Sequence, residues 1–87
     1  MGAELQPVRV PLGDDCEGRL VFVDGALVGL LVCLSEVHGE QAGSWFLEAA
    51  FGDLAGPNLP VFPDLDTAQA WVLQRFNPLR LPAADRP

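Results

Sequence analysis

Gly18-Arg19-Leu20-Val21-Phe22-Val23-Asp24-Gly25-Ala26-Leu27-Val28-Gly29-Leu30-Leu31-Val32-Cys33-Leu34 is the stretch whose reading decides the fold of this chain. Two apolar runs flank Asp24-Gly25, and a two-residue Asp-Gly loop favours a type I′ turn whose twist matches the strands it joins. The stretch therefore reads as a β-hairpin. With that turn Val23 faces Ala26, Val21 faces Val28 and Arg19 faces Leu30. Strict alternation then puts Val21, Val23, Ala26, Val28, Leu30 and Val32 on one side, and Leu20, Phe22, Leu27, Gly29, Leu31 and Cys33 on the other. Both faces of the longer strand are apolar, the pattern of a strand covered on two sides. Gly29 marks either a bulge or the close approach of a bulky group.

On the N-terminal side, Val8, Val10 and Leu12 alternate with Arg9 and Pro11 at the period of a half-buried strand. Pro7 and Pro11 cannot donate to a ladder, which makes this an edge strand. Gly13 to Gly18, carrying Asp14, Asp15, Cys16 and Glu17, is an acidic turn-forming connector. On the C-terminal side, Ser35 to Ser44 reads as a polar loop containing Glu36, His38 and Glu40. Trp45 to Phe51 follows as a strand, with Trp45, Leu47, Ala49 and Phe51 toward the core and Phe46, Glu48 and Ala50 away from it. Asp53 to Pro63 holds Gly56-Pro57-Asn58, Pro60 and Pro63, which break regular structure, while Val61 and Phe62 anchor the loop on the sheet.

A helix then starts at Asp64-Leu65-Asp66-Thr67-Ala68-Gln69. Asp66 as N-cap with Gln69 three residues on resembles a capping box, and Asp64 adds negative charge at the positive end of the helix. Leu65, Ala68, Val72 and Phe76 fall on one stripe, flanked by Trp71 and Leu73. Asn77 before Pro78 ends the helix, because the residue preceding proline disfavours α geometry. The expected architecture is α+β, a three- to four-stranded antiparallel β-meander with one C-terminal α-helix packed on one face. Residues 1–78 form a single small domain and 79–87 a flexible tail.

Composition narrows the function classes. The chain has 87 residues and a net charge of −7, from twelve Asp and Glu against five arginines and no lysine. Nucleic-acid binding needs clustered Lys/Arg to neutralise phosphates, and anionic membranes attract polybasic segments, so neither partner fits. The longest apolar run, Ala26 to Leu34, is far short of the roughly 20 residues that span a bilayer, and the N-terminus lacks a basic-then-apolar signal pattern. A cytoplasmic location is expected. Heavy use of Ala, Leu, Val, Gly, Pro and Arg with no lysine or tyrosine is the bias of a GC-rich genome and points to a bacterial source.

No catalytic constellation stands beside this architecture. His38 between Glu36 and Glu40 lacks the second histidine or paired cysteines of a metal site and reads as a surface loop residue. Asp14, Asp15 and Glu17 lack the alternating ligands and distant Glu of a calcium loop. Cys16 has acidic neighbours that disfavour thiolate, and Cys33 sits in an apolar strand, so two free thiols are expected. Glu48 reads either as a plain outward-facing charge or as an edge charge that blocks wrong strand pairing, and Trp45 and Trp71 read as core. No cofactor is implied.

The helix can cover only one face of a sheet with strands about 4.8 Å apart. The other apolar face must meet further chain or another protein. The leading expectation is a small acidic, non-enzymatic protein-interaction module that self-associates through its sheet, as a homodimer or larger homo-oligomer, with Val21, Val23, Val28, Leu30 and Val32 as the candidate interface. An acidic regulatory partner of a basic or nucleic-acid-binding protein is the first alternative. A small-ligand binder or enzyme using the Trp45/Trp71 region is the second.

Overall fold

The computed structural model of the chain describes residues 2–11 and 13–76. It is an α+β domain built from a five-stranded antiparallel sheet in sequential order, β1 (Ala3–Arg9), β2 (Glu17–Val23), β3 (Ala26–Cys33), β4 (Trp45–Ala50) and β5 (Val61–Phe62), followed by one helix, α1 (Leu65–Arg75). The meander thus has five strands where three to four were expected. The fifth is the Val61-Phe62 anchor: these residues pair with Phe46 and Trp45, and Leu47 N–H donates to the Pro60 carbonyl at 3.1 Å. A ladder of two residues suffices because Pro60 and Pro63 on either side forbid a longer one. The expected tail, 79–87, lies outside the described residues.

The hairpin turn is as its residues dictate. Asp24 and Gly25 both adopt positive φ, 52° and 82°, which Gly accepts freely and Asp tolerates. β1 is the edge strand expected, but it spans Ala3–Arg9 and so starts before the Val8-Val10 alternation indicates; Leu12, expected to continue it, lies outside the described residues. Val10 N–H still donates to the Cys16 carbonyl at 2.9 Å, continuing the register in which Arg9 faces Glu17.

Two β-bulges overturn the strict alternation expected of β3 and β4. Val21 faces Gly29 and Phe22 faces Leu27, so Val28 is the extra residue; Leu31 faces Leu47 and Leu30 faces Ala49, so Glu48 is the extra residue of β4. The reason is packing. Val28 and Leu31, like Leu47 and Ala50, are three positions apart and would point to opposite faces of a regular strand. Inserting one residue lets all four pack on the same core, where Val28, Leu31 and Leu47 are buried and Ala50 packs against them. Ala49 and Phe51, expected in the core, are displaced from it; Ala49 pairs with Leu30 and Phe51 is half exposed.

Helix α1 seals this core. Its N-cap is Asp64, whose carboxylate accepts from Thr67 N–H at 2.7 Å, and not Asp66. The stripe explains the choice: Leu65 packs inward with Ala68 and Val72, and only a helix that already includes Leu65 brings these three to one face. Ala68 and Val72 are fully buried against Val21, Val23, Leu31 and Leu47. The proline-rich connector adds Leu54, from a short 3-10 turn at Gly52–Leu54, and Phe62, whose ring meets Trp71 edge-on at 5.5 Å. Phe76 leaves helical geometry (ψ 130°), one residue before the expected stop at Asn77.

Candidate functional site

The sheet has a second face, and the register identifies it. Trp45, Leu47, Val21 and Val23 point to the helix, so their neighbours Phe46, Leu20 and Phe22 point away, together with Leu30, which faces both Leu20 and Ala49. A Cβ placed on Gly18 would sit 3.2 Å from a Val8 methyl and 3.4 Å from a Leu30 methyl, which puts Val8 on this face too. Leu27, opposite Phe22, Val61, opposite Phe46, and Phe51, the extended residue after Ala50, complete it. Leu20, Phe22, Leu30 and Phe46 are half-buried, whereas Leu27, Phe51 and Val61 are exposed at 42, 50 and 37 %. Glu4 and Gln6, facing Phe22 and Leu20 across the ladder, give this apolar surface a polar margin on β1.

The five residues expected to form an interface do not share a face. Val21 and Val23, with no exposed surface, and Val28 lie in the core beneath α1. Leu30 is half-buried on the helix-free face, and Val32 belongs to that face but is 1 % exposed. The bulge at Val28 makes the division. The residues that carry the exposed apolar surface, Leu27, Phe51 and Val61, follow from pairings that periodicity alone does not supply.

A polar cluster forms at one end of the sheet, where the β1–β2 connector meets the β3–β4 loop. Asp15 accepts from Ser35 N–H at 2.7 Å, and its second oxygen contacts His38 Nε2 at 2.5 Å. Hydrogen bonding from Ser35, helped by His38, holds the Asp15 carboxyl below its ordinary range. Asp15 thereby ties the connector, which also carries Asp14, to the loop that carries Glu36 and Glu40. His38 is exposed, as expected of a surface loop residue, but its contact with Asp15 of the acidic connector spans 23 positions and has no local signature. Among the described residues, no three His, Cys, Asp or Glu side chains converge as a metal would need.

The remaining candidates are dispersed. Cys16 and Cys33 are free thiols. Arg9 approaches Cys16 Sγ at 3.7 Å, and Cys33 is half-buried, its thiol pushed up by burial and then by the Glu17 charge. Trp45 is buried beneath Arg19, whose guanidinium sits 5.0 Å from the ring centroid and bonds Glu17 at 3.1 Å and the Gly18 carbonyl at 2.9 Å. Trp71, with Arg75 at 4.6 Å over its ring, borders a cleft of about 350 Å³ against Pro57, Asn58 and Pro60. Cys16, His38 and Glu48 do not line that cleft, and Glu48 is exposed at the β4 bulge.

No helix among the described residues is long and apolar enough to cross a membrane. Comparison with protein-family models, with curated proteins and with solved structures finds no match to this chain.

Proposed function

We propose that this chain is a small acidic protein-interaction module that self-associates through its sheet and carries no catalysis of its own. The observation behind this reading is that among the described residues one helix serves a sheet with two apolar faces, leaving Leu27, Phe51 and Val61 exposed among half-buried Leu20, Phe22, Leu30 and Phe46. A second copy is the occupant that fits. A flat apolar sheet face packs on a like face at about 10 Å, with strands aligned near −30°. A two-fold brings the same residues together from both copies, so a self-complementary surface needs no second sequence. Strands of seven, seven, eight, six and two residues, at about 4.8 Å spacing and about 3.3 Å rise, give a face of roughly 500 Å² in projection, at the small end of stable contacts.

Absolute mass by light scattering across a dilution series, at low and high salt, tests the proposal. Association that persists at high salt and is weakened in Leu27→Glu or Phe51→Glu supports it. A wild-type monomer at high micromolar concentration would defeat it, as would association insensitive to both substitutions.

The acidic end favours a second reading, that of a partner for a basic protein. Its support is the Asp15 contact with Ser35 and His38, which draws carboxylates from two loops to one end of the sheet. Titration with a lysine-rich peptide should then give binding that weakens with salt. Neutralising Glu36 and Glu40 as Glu36→Gln and Glu40→Gln should weaken it further, and an unchanged affinity would remove this reading.

A further inference from the structure

The two edges of the sheet differ. β5 contributes only two residues, whereas β1 is a seven-residue strand at the other border. Which of its backbone groups have no strand partner among the described residues follows from one hydrogen bond. Val10 N–H donates to the Cys16 carbonyl within the β1–β2 register, so Val10 turns its peptide groups toward β2, and so do Val8, Gln6 and Glu4 at alternate positions. Ala3, Leu5, Pro7 and Arg9 turn theirs outward. Pro7 agrees with this assignment: it has no N–H to give, and the outward position is the one where the β1–β2 ladder asks for none. Among the described residues the outer edge thus presents the amides of Ala3, Leu5 and Arg9 and the carbonyls of all four residues, a template for another strand.

We infer that a second copy of this chain adds at the β1 edge, antiparallel and centred on Gln6, continuing the sheet from one protomer into the next. This rests on the reading that the chain self-associates and assigns that behaviour a second, independent contact. The strand is complementary to itself at this register. The midpoint of Ala3–Arg9 is Gln6, an inward-turned residue, so a two-fold there sets outward groups against outward groups over the whole strand. Ala3 meets the partner's Arg9 and each such pair closes two hydrogen bonds; Leu5 meets the partner's Pro7 and each such pair closes one. Glu4 meets the partner's Val8, so no like charges oppose. The neighbouring registers are worse. Centring on Glu4 opposes two glutamates, centring on Leu5 pairs only five residues of the strand, and centring on Pro7 sets two prolines face to face with no donor between them. Pro7 therefore selects the register without closing the edge.

At this two-fold the two Gln6 residues form a non-hydrogen-bonded pair with Cα atoms about 4.5 Å apart, within disulfide reach. The test is Gln6→Cys in a Cys16→Ser, Cys33→Ala background, oxidised by glutathione disulfide and read on non-reducing gels, with Asp66→Cys as the surface control. Gln6→Cys should form a covalent dimer at least tenfold faster than Asp66→Cys. Glu4→Cys and Val8→Cys should each fail alone and cross-link when mixed. Equal rates for Gln6→Cys and Asp66→Cys overturn the inference, as does efficient cross-linking of Glu4→Cys by itself. Adding Leu27→Glu separates the two contacts: if mass falls and Gln6→Cys still cross-links, both stand. If mass is unchanged and cross-linking persists, the face contact fails and the edge stands. If cross-linking never occurs while Leu27→Glu lowers the mass, the edge fails and the face stands.

Discussion

The two faces of the sheet are made from the same strands and nearly the same residue types, yet they end differently. On the helix side Val21, Val23, Leu31 and Leu47 have no exposed surface beneath Ala68 and Val72. On the other side Leu20, Phe22, Leu30 and Phe46 are half-buried, and Leu27 and Phe51 are open. Adjacent residues of one strand, Leu30 and Leu31, fall on either side of this divide. Apolar composition therefore marks a strand as able to be buried, while the length and number of covering elements decide which side is. Fully burying a leucine is worth about 1.5–3 kcal/mol, so the helix-free face holds several kcal/mol of burial that the described residues leave unused.

The sharpest way to break this comparison is to truncate the adjacent leucines. Leu31→Ala opens a cavity in a sealed core and should cost about 2–5 kcal/mol. Leu30→Ala removes a half-buried side chain and should cost about 1 kcal/mol in the monomer. Urea unfolding measured below the association range gives both values, and similar losses for the two would mean that the free face is as well covered as the core.

Two glycines carry the comparison at smaller scale. A Cβ on Gly29 would lie 3.1 Å from the Ala49 carbonyl oxygen and from a Leu47 methyl in the core. Leu47 cannot give way without disturbing Leu31, so Gly29→Ala should cost about 1–3 kcal/mol through overpacking. A Cβ on Gly18 would lie 3.2 Å from the Leu31 carbonyl oxygen and a Val8 methyl, and 3.4 Å from a Leu30 methyl. Val8 and Leu30 are half-buried and have room to move, so Gly18→Ala should cost less. Thermal melts of the two variants rank them, and the reverse order would mean that the helix-free face is the more rigid.

How much of this was legible follows from what each signal depends on. The Asp24-Gly25 hairpin, the edge strand at Pro7 and the helix from Leu65 rest on local chemistry, and the residues concerned state it directly. The bulges at Val28 and Glu48 rest on which side chains the core can accept, a tertiary demand that overrides alternation. Their traces in the sequence were slight: a glycine beside one and a lone charge within the other. Because one bulge divides Val21, Val23 and Val28 from Leu30 and Val32, the candidate interface drawn from alternation mixed core with surface. The Asp15–His38 contact was illegible for another reason, since it joins two loops that meet only once the sheet has formed.

The smallest effect concerns the element that seals one face and not the other. Asp64 caps α1, and its carboxylate is held below the ordinary carboxylate value of 3.8 chiefly by the Thr67 backbone N–H. A group whose pKa is lower in the folded state stabilises that state above the unfolded value, and the contribution fades as pH falls through the folded one. Asp64→Ala should therefore lower the melting temperature by a few degrees at neutral pH, and the gap to wild type should close on acidification below pH 3.8. Asp15, lowered in the same sense by Ser35, should show the same pH window for Asp15→Ala. Asp66→Ala removes first-turn charge but no cap and should do less than Asp64→Ala. A gap that is independent of pH, or an Asp66→Ala loss equal to that of Asp64→Ala, would mean that the helix begins elsewhere in solution. Leu65 would then leave the stripe, and the core face would lose part of the seal that sets it apart.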